Sequence, residues 1–270
     1  MTHRLSVGDL ARRIRDLGVS PGDLVMVHAS LRALGPVATG ALGVVDALDA
    51  AVGPTGTWLM VYGDEDQWGW VNDRPEAERP ALLADAPPFD PWRAPVLREV
   101  GTLAEVMRVV RGTVVSPHPE GRFGARGARA AELMARQPRN DYYGPGTVLD
   151  ELVRSGGRVL RLGADRDTVT ALHLAEYLAD VPDKLRVRRH RTVVGADGPE
   201  VVVVECLDDE DGIVPAERQP EEDYFAVVLG EYLAAGRALA VGRVGGATVE
   251  LLDSADLVRF GADWMTAHLR

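Results

Sequence analysis

His173 and Glu176 stand three residues apart in TVTALHLAEYLAD, a stretch whose apolar spacing predicts a helix. At that spacing the two side chains share one helix face, within reach of an imidazole–carboxylate hydrogen bond. A carboxylate on one ring nitrogen fixes the tautomer and supports the imidazolium, leaving the other nitrogen as a general base. The same pair also fits a plain helix-surface ion pair, or two ligands of a metal, although the HExxH pattern of helix-borne zinc sites is absent. His118, in Ser116-Pro117-His118-Pro119, is held between prolines directly after a predicted strand, as a pocket residue or as a turn histidine without a role. His28 ends the first predicted strand, where packing or an internal hydrogen bond is the simpler expectation. The segment after it, Ala29 to Leu34, offers consecutive backbone N–H groups to a phosphate.

Composition removes several other chemistries. Cys206 is the single cysteine of the 270 residues, so an intramolecular disulfide and a multi-cysteine zinc site are excluded, and no metal is expected. Its neighbours Glu205, Asp208 and Asp209 disfavour the thiolate that a cysteine nucleophile needs. Lys184 is the one lysine, which leaves no phosphate-loop lysine and a single amine for Schiff-base chemistry. The net charge of −11 is concentrated in residues 64–90 and 205–223, and basic residues outnumber acidic ones elsewhere. Two acidic segments on an otherwise balanced chain suit a cationic ligand, or simply solvated loops. Nucleic acid would demand a basic footprint, so it is not an expected partner. No run of about 18 apolar residues occurs, and MTHRLSVGDLARRI carries charges where a signal peptide is apolar, so a cytoplasmic protein without a membrane partner is expected.

The elements that must hold these residues alternate. Helix over 6–18, strand over Leu24–Val27, helix over 40–52 and strand over Thr57–Tyr62 form a strand–helix–strand rhythm that implies a parallel sheet. Residues 63–95, with six prolines and three tryptophans, interrupt it as a lid or insert. Helices near 102–110, 127–136 and 148–157, strands at 113–116 and 158–165, hairpins over 188–206 and 238–253, and a last helix at 254–269 complete the reading. The Gly121-Arg122-Phe123-Gly124 and Gly127 stretch reads as a turn. No domain boundary is evident, so residues 1–270 are expected to form one α/β/α-layered domain around a central, mostly parallel sheet with added hairpins.

VMVHASLRALGPVATGALGVVDALDAAVGPTGT, PPFDP (87–91), SPHP (116–119), LRLGADRDTVTALHLAEYLADVPDKLRV (160–187) and EDYF (222–225) occur in this order over most of the chain. Together they resemble the aminoglycoside 3-N-acetyltransferase family, with its own α/β/α fold distinct from the histone-acetyltransferase-like superfamily. The resemblance implies acetyl-CoA as co-substrate and acetylation of the 3-amino group of a 2-deoxystreptamine aminoglycoside, giving antibiotic resistance. It puts His173 and Glu176 in the catalytic centre, and the CoA pantetheine and pyrophosphate near His28, Ala29, Ser30, Leu31 and Arg32 and near Ser116 and His118. The acidic segments then become the walls of a polycation site, with Tyr62, Asp64, Glu65, Glu205, Asp208, Asp209 and Glu210 as substrate-binding residues.

The chain departs from the resemblance at Cys206–Ile213, where the acidic motif aligns ambiguously by a residue or two, and at Val115-Ser116-Pro117. Three other readings stand beside it: an N-acyltransferase of another small amine, a metal-dependent hydrolase and a non-catalytic polycation binder. A homodimer is compatible with the sequence, which carries no signal of oligomeric state.

Overall fold

Leu24–Val27 is apolar at every position, and a strand of that kind is stable only with both faces covered. In a computed structural model, which describes residues 4–63 and 67–270, this strand lies at the centre of a seven-stranded sheet. The amino-terminal elements are α1 (Val7–Asp16), β1 (Leu24–Ala29), α2 (Leu31–Leu34), α3 (Ala41–Val52), β2 (Thr57–Val61), α4 (Arg79–Leu82), α5 (Thr102–Val109), β3 (Val114–Val115) and β4 (Phe123–Gly127). After them come α6 (Ala130–Ala135), α7 (Val148–Arg154), β5 (Arg158–Leu162), α8 (Leu172–Leu178), β6 (Arg186–Val194), β7 (Pro199–Leu207), α9 (Tyr224–Ala234), β8 (Ala240–Val244), β9 (Ala247–Asp253) and α10 (Ser254–His268).

The sheet order is β3-β4-β2-β1-β5-β9-β8. β2, β1 and β5 are parallel neighbours, with Met26 opposite both Leu59 and Val159. β4 and β9 run against them, while β3 and β8 at the margins again share their direction. Alternation along the strands divides the core: Val25, Val27, Trp58 and Met60 face α1, α3 and α5, whereas Met26, Leu59 and Val159 face α6 to α10. Burying a side chain such as Leu10 or Ile14 of α1 contributes about 1.5–3 kcal/mol, which is why the amphipathic pattern decides the layer. Ser6 caps α1 by accepting from the Asp9 N–H, and Gly18, at φ +119°, ends the turn after it. Among the described residues, no helix is long and apolar enough to cross a membrane.

Besides the short α2, which forms where no helix was expected, two elements differ from the sequence expectation. Residues 123–127, expected as a turn, form β4 beside β2 in the sheet, because their glycines leave room for neighbours. A Cβ on Gly124 would stand 2.0 Å from the Tyr62 hydroxyl oxygen, and one on Gly127 2.1 Å from the Gly56 carbonyl oxygen. Residues 224–234, for which no element was expected, form α9.

β6 and β7 make a separate two-stranded hairpin. The described part of the 63–95 segment folds into short 3₁₀ turns and α4 around its own small core of Val71, Leu83 and Ala86. It docks on the hairpin through Asn72, which receives the His190 N–H at 2.7 Å, and through Thr192, whose hydroxyl donates to the Leu83 carbonyl. The fully buried Arg122 ties the segment's two ends together by donating to the carbonyl of Gly63 at its start and to those of Pro91, Ala94 and Pro95 at its close.

Candidate active site

β5 ends at Leu162, and Gly163 turns the chain at φ +70°, where a Cβ would press on Ala247 and Ala33. The next loop leads into α8, which puts His173 in the first helical turn and Glu176 one turn further. The His173 Nδ1 lies 2.7 Å from Glu176 Oε2, while the Tyr224 hydroxyl donates to Glu176 Oε1. Glu176 is 1% exposed, so the pair is no surface ion pair. The His173 ring stacks on Tyr143, with centroids 4.3 Å apart and planes at 2°, and meets the edge of Phe225 at 4.8 Å. Packing and hydrogen bonds therefore fix the imidazole plane. Desolvation lowers the pKa of His173, but the Glu176 charge and hydrogen bond, with Asp209 and Asp223 behind them, outweigh it and hold the ring above its ordinary value.

His173 stands where cavities adjoin. One, of about 550 Å³, is bordered by Asp73, Glu120, Tyr142, Arg189, Asp209 and Glu210. A second, of about 210 Å³, shares His173, Asp209 and Glu210 with it and adds Glu176 and Asp223. A third, of about 670 Å³, shares Thr168 and Thr170 with the second and lies at the carboxyl ends of β1, β2 and β5, where open α/β sheets gather ligands. His28, Ala29, Ser30, Leu31 and Arg32 all line this third cavity, together with Met60, Val61 and Arg98. His28 is buried, with Nε2 unpartnered among the described residues; burial, then the Arg161 charge, push its pKa down to about 3.

The remaining expected residues divide. Ser116 and His118 are not among the residues lining that cavity: the Ser116 hydroxyl accepts the Phe123 N–H, and His118 is buried against Tyr142. The His118 Nδ1 accepts the N–H groups of Glu120 and Gly121, and burial, with the Arg191 charge, depresses its pKa to about 3. Tyr62, expected to touch substrate, is fully buried, because alternation along β2 turns it with Trp58 and Met60 into the α3–α5 core. Glu205, also expected there, is exposed and points away, since its neighbours Val204 and Cys206 take the buried face of β7. Asp208 instead makes a turn, its Oδ1 accepting the N–H groups of Glu210 and Asp211. Asp209 and Glu210 border the first two cavities as expected. Asp64 and Glu65 lie outside the described residues. Among the described residues no three His, Cys, Asp or Glu side chains are grouped to hold a metal ion.

Residues 26–266 match the family model of aminoglycoside 3-N-acetyltransferases. The chain belongs to that family. It is 37% identical over 264 residues to the aminoglycoside N(3)-acetyltransferase VIII of Streptomyces fradiae, covering 97% of this chain and 92% of that one. The structure of AAC-IIIb in binary complex with CoASH is similar at a TM-score of 0.90 and 36% identity, covering 99% of this chain and 98% of the other. That of sisomicin-bound AAC-VIa is similar at 0.89 and 36%, covering 99% of this chain and all of that one. The fold is thus that of the 3-N-acetyltransferases, and the chain is an acetyl-CoA-dependent amine acetyltransferase.

Sequence reasoning on this acetyltransferase missed Arg189, Glu120, Tyr142 and Tyr143. Arg189 ion-pairs with Asp209 at 2.9 Å and Glu210 at 3.2 Å, lies 3.6 Å from Glu120, and donates to the Tyr142 hydroxyl, which in turn donates to Asp209. The available signal was alternation: Arg189 and Arg191 share one face of β6, the face that looks into the first cavity.

Proposed function

We propose that this acetyltransferase transfers the acetyl group of acetyl-CoA to the 3-amino group of a 2-deoxystreptamine aminoglycoside, by direct attack in a ternary complex with His173 as general base. The observation that carries this is the position of the half-buried His173, paired with the buried Glu176, between an acid-bordered cavity and the cavity at the strand ends. Antibiotic resistance results from the loss of the amine's charge and lone pair. The site of action is proposed to be the cytoplasm, where acetyl-CoA is made.

The strand-end cavity fits the co-substrate. Arg32 and Arg98 supply positive charge for a pyrophosphate, with Glu99 and Asp165 also on its lining, and Val27, Met60, Val61 and Val100 give an apolar course for a pantetheine arm. The orphaned His28 Nε2 is a buried polar atom that a ligand would satisfy. When bound, acetyl-CoA supplies a thioester carbon open to nucleophilic attack and a thiolate leaving group.

The chain's own residues prepare the amine. An ammonium has no lone pair, so a proton must leave before attack. Glu176 accepts the His173 Nδ1–H and so leaves Nε2 to take that proton, and its charge balances the imidazolium that results. Asp73, Glu120, Asp209 and Glu210 give the cavity wall a negative potential that attracts a polycationic drug, with Asp73 standing outside the Arg189 cluster to pair an ammonium group. Cys206 carries no acyl group: it is 1% exposed, and burial, then the charge of Asp209, push its thiol up to about 12.

The test is free-thiol release from acetyl-CoA with a panel of aminoglycosides, comparing the intact protein with His173→Ala. Release that needs both the drug and His173 is expected. Release indifferent to the substitution would move the base elsewhere, and none with any drug would point to another small amine.

A further inference from the structure

The cavity proposed to receive a polycation is lined by guanidinium groups of the chain itself: Arg191, which donates to the Pro119 carbonyl and lies over the Phe89 ring, and Arg189, which meets the cavity's acids. Arg189 enters the cavity from β6 with its side chain only 15% exposed, and its guanidinium lies within 4 Å of Glu120, Asp209 and Glu210. Tyr142 completes the cluster, accepting from Arg189 and donating to Asp209. These are three of the four described carboxylates on the cavity wall, Asp73 being the fourth. Acids that would otherwise take drug ammonium groups are therefore already partnered by a fixed internal charge.

We infer that Arg189 is a specificity-determining residue, a built-in counter-cation that limits how many ammonium groups the cavity accepts and selects drugs presenting a hydroxyl, rather than an amine, to the Glu120–Asp209 corner. The inference rests on the proposed drug site. Its physical content is a like-charge contact. A drug ammonium brought to this corner meets the guanidinium as well as the carboxylates and must displace it to be paired, whereas a hydroxyl accepts from Arg189 without charge repulsion. Arg189 is held too firmly to yield at little cost: its hydrogen bonds and ion pairs come from separate segments, namely the turn after β3, the residues before α7 and the loop after β7. The guanidinium pKa is raised further by the same acids, so it stays charged wherever the enzyme works.

Neamine and paromamine differ by one amino group in place of a hydroxyl, and their kcat/KM ratio isolates the effect. Arg189→Met is expected to shift the ratio about tenfold toward neamine and to steepen the fall of kcat/KM with salt. Arg189→Lys, which keeps the charge, is expected to retain the wild-type ratio. Arg189→Gln keeps a donor for Asp209 without the charge and reads the same quantity where the Met variant does not fold. An unchanged ratio in the neutral variants, with both drugs still acetylated, overturns the role of Arg189 alone. Failure of the wild type to acetylate either drug overturns the drug-site reading on which it rests.

Discussion

Glu176→Gln changes one oxygen of the catalytic pair to nitrogen, and the wild-type geometry determines the loss of rate. Glu176 serves two donors at once, the His173 Nδ1–H through Oε2 and the Tyr224 hydroxyl through Oε1. A glutamine has one acceptor oxygen for these two positions. If the amide oxygen stays with Tyr224, the NH₂ group faces Nδ1 and forces the ring proton onto Nε2, so the base is lost; the corresponding wrong-tautomer change in a serine-protease triad costs about 10⁴ in kcat. If the oxygen serves His173, the tautomer survives but the charge supporting the imidazolium is gone, which costs about 10² as for removal of general-base assistance. The expected loss in kcat is therefore between about 10² and 10⁴, or roughly 3–5 kcal/mol of barrier, with a smaller change in the KM of the drug. A base works unprotonated, and His173 is held above its ordinary value by Glu176, so wild-type kcat/KM falls as pH drops through that raised value. In the variant this acidic limb moves to lower pH. Adding Tyr224→Phe releases the amide oxygen for His173 and recovers part of the rate. A Glu176→Gln enzyme with wild-type kcat and an unmoved acidic limb would refute the base assignment.

Three further outcomes are expected. The raised His173 value means the imidazolium–Glu176 pair stabilises the fold fully below the ordinary imidazole value, about 6.5, and that contribution is lost as pH rises through the folded-state value; the urea midpoint difference between wild type and His173→Asn should shrink from about pH 6 to about pH 9, and a constant difference would contradict it. Cys206→Ala should retain acetylation and the native thiol should react slowly with Ellman's reagent, whereas a loss of about 10² or more would assign Cys206 a covalent role. Asp209→Asn should raise the drug KM several-fold while Glu205→Gln changes it by less than about twofold, because only the first side chain borders the cavity; equal effects in steady-state kinetics would contradict the assigned wall.

The helices and central strands were legible because periodicity reports which face is buried, and that is a local property. The i,i+3 relation of His173 and Glu176 was legible for the same reason. What periodicity could not show was depth. Tyr62 has the residue type of a binding group, yet one step of alternation from Val61 turns it into the core under Gly124. β4 escaped because Gly124 and Gly127, which read as turn residues, serve the close approach of Tyr62 and of the Gly56 backbone. α9 escaped because Tyr224, Phe225, Val228, Leu229 and Tyr232 are all buried, and a helix buried on several sides has only a weak amphipathic signature. Arg189 and Glu120 come from segments distant in sequence, so no local pattern joins them.

Charge illustrates the difference between composition and a site. The net −11 and its two acid-rich segments pointed to a cation, and the segments do supply Asp73, Asp209, Glu210 and Asp223 to the cavities. Other acids of the same segments are committed elsewhere: Glu76 to Arg188, Asp90 to Arg93, and Asp208 to the N–H groups of its own turn. Glu120, which faces the first cavity, belongs to neither segment, and Arg189 subtracts a charge that composition assigns to the balanced remainder. An acid on an open surface contributes little to binding under physiological screening, whereas one partly withdrawn from water contributes more. Recognition of a polycation here thus rests on a few enclosed carboxylates and the Arg189 guanidinium set against them, not on the excess of acids along the chain.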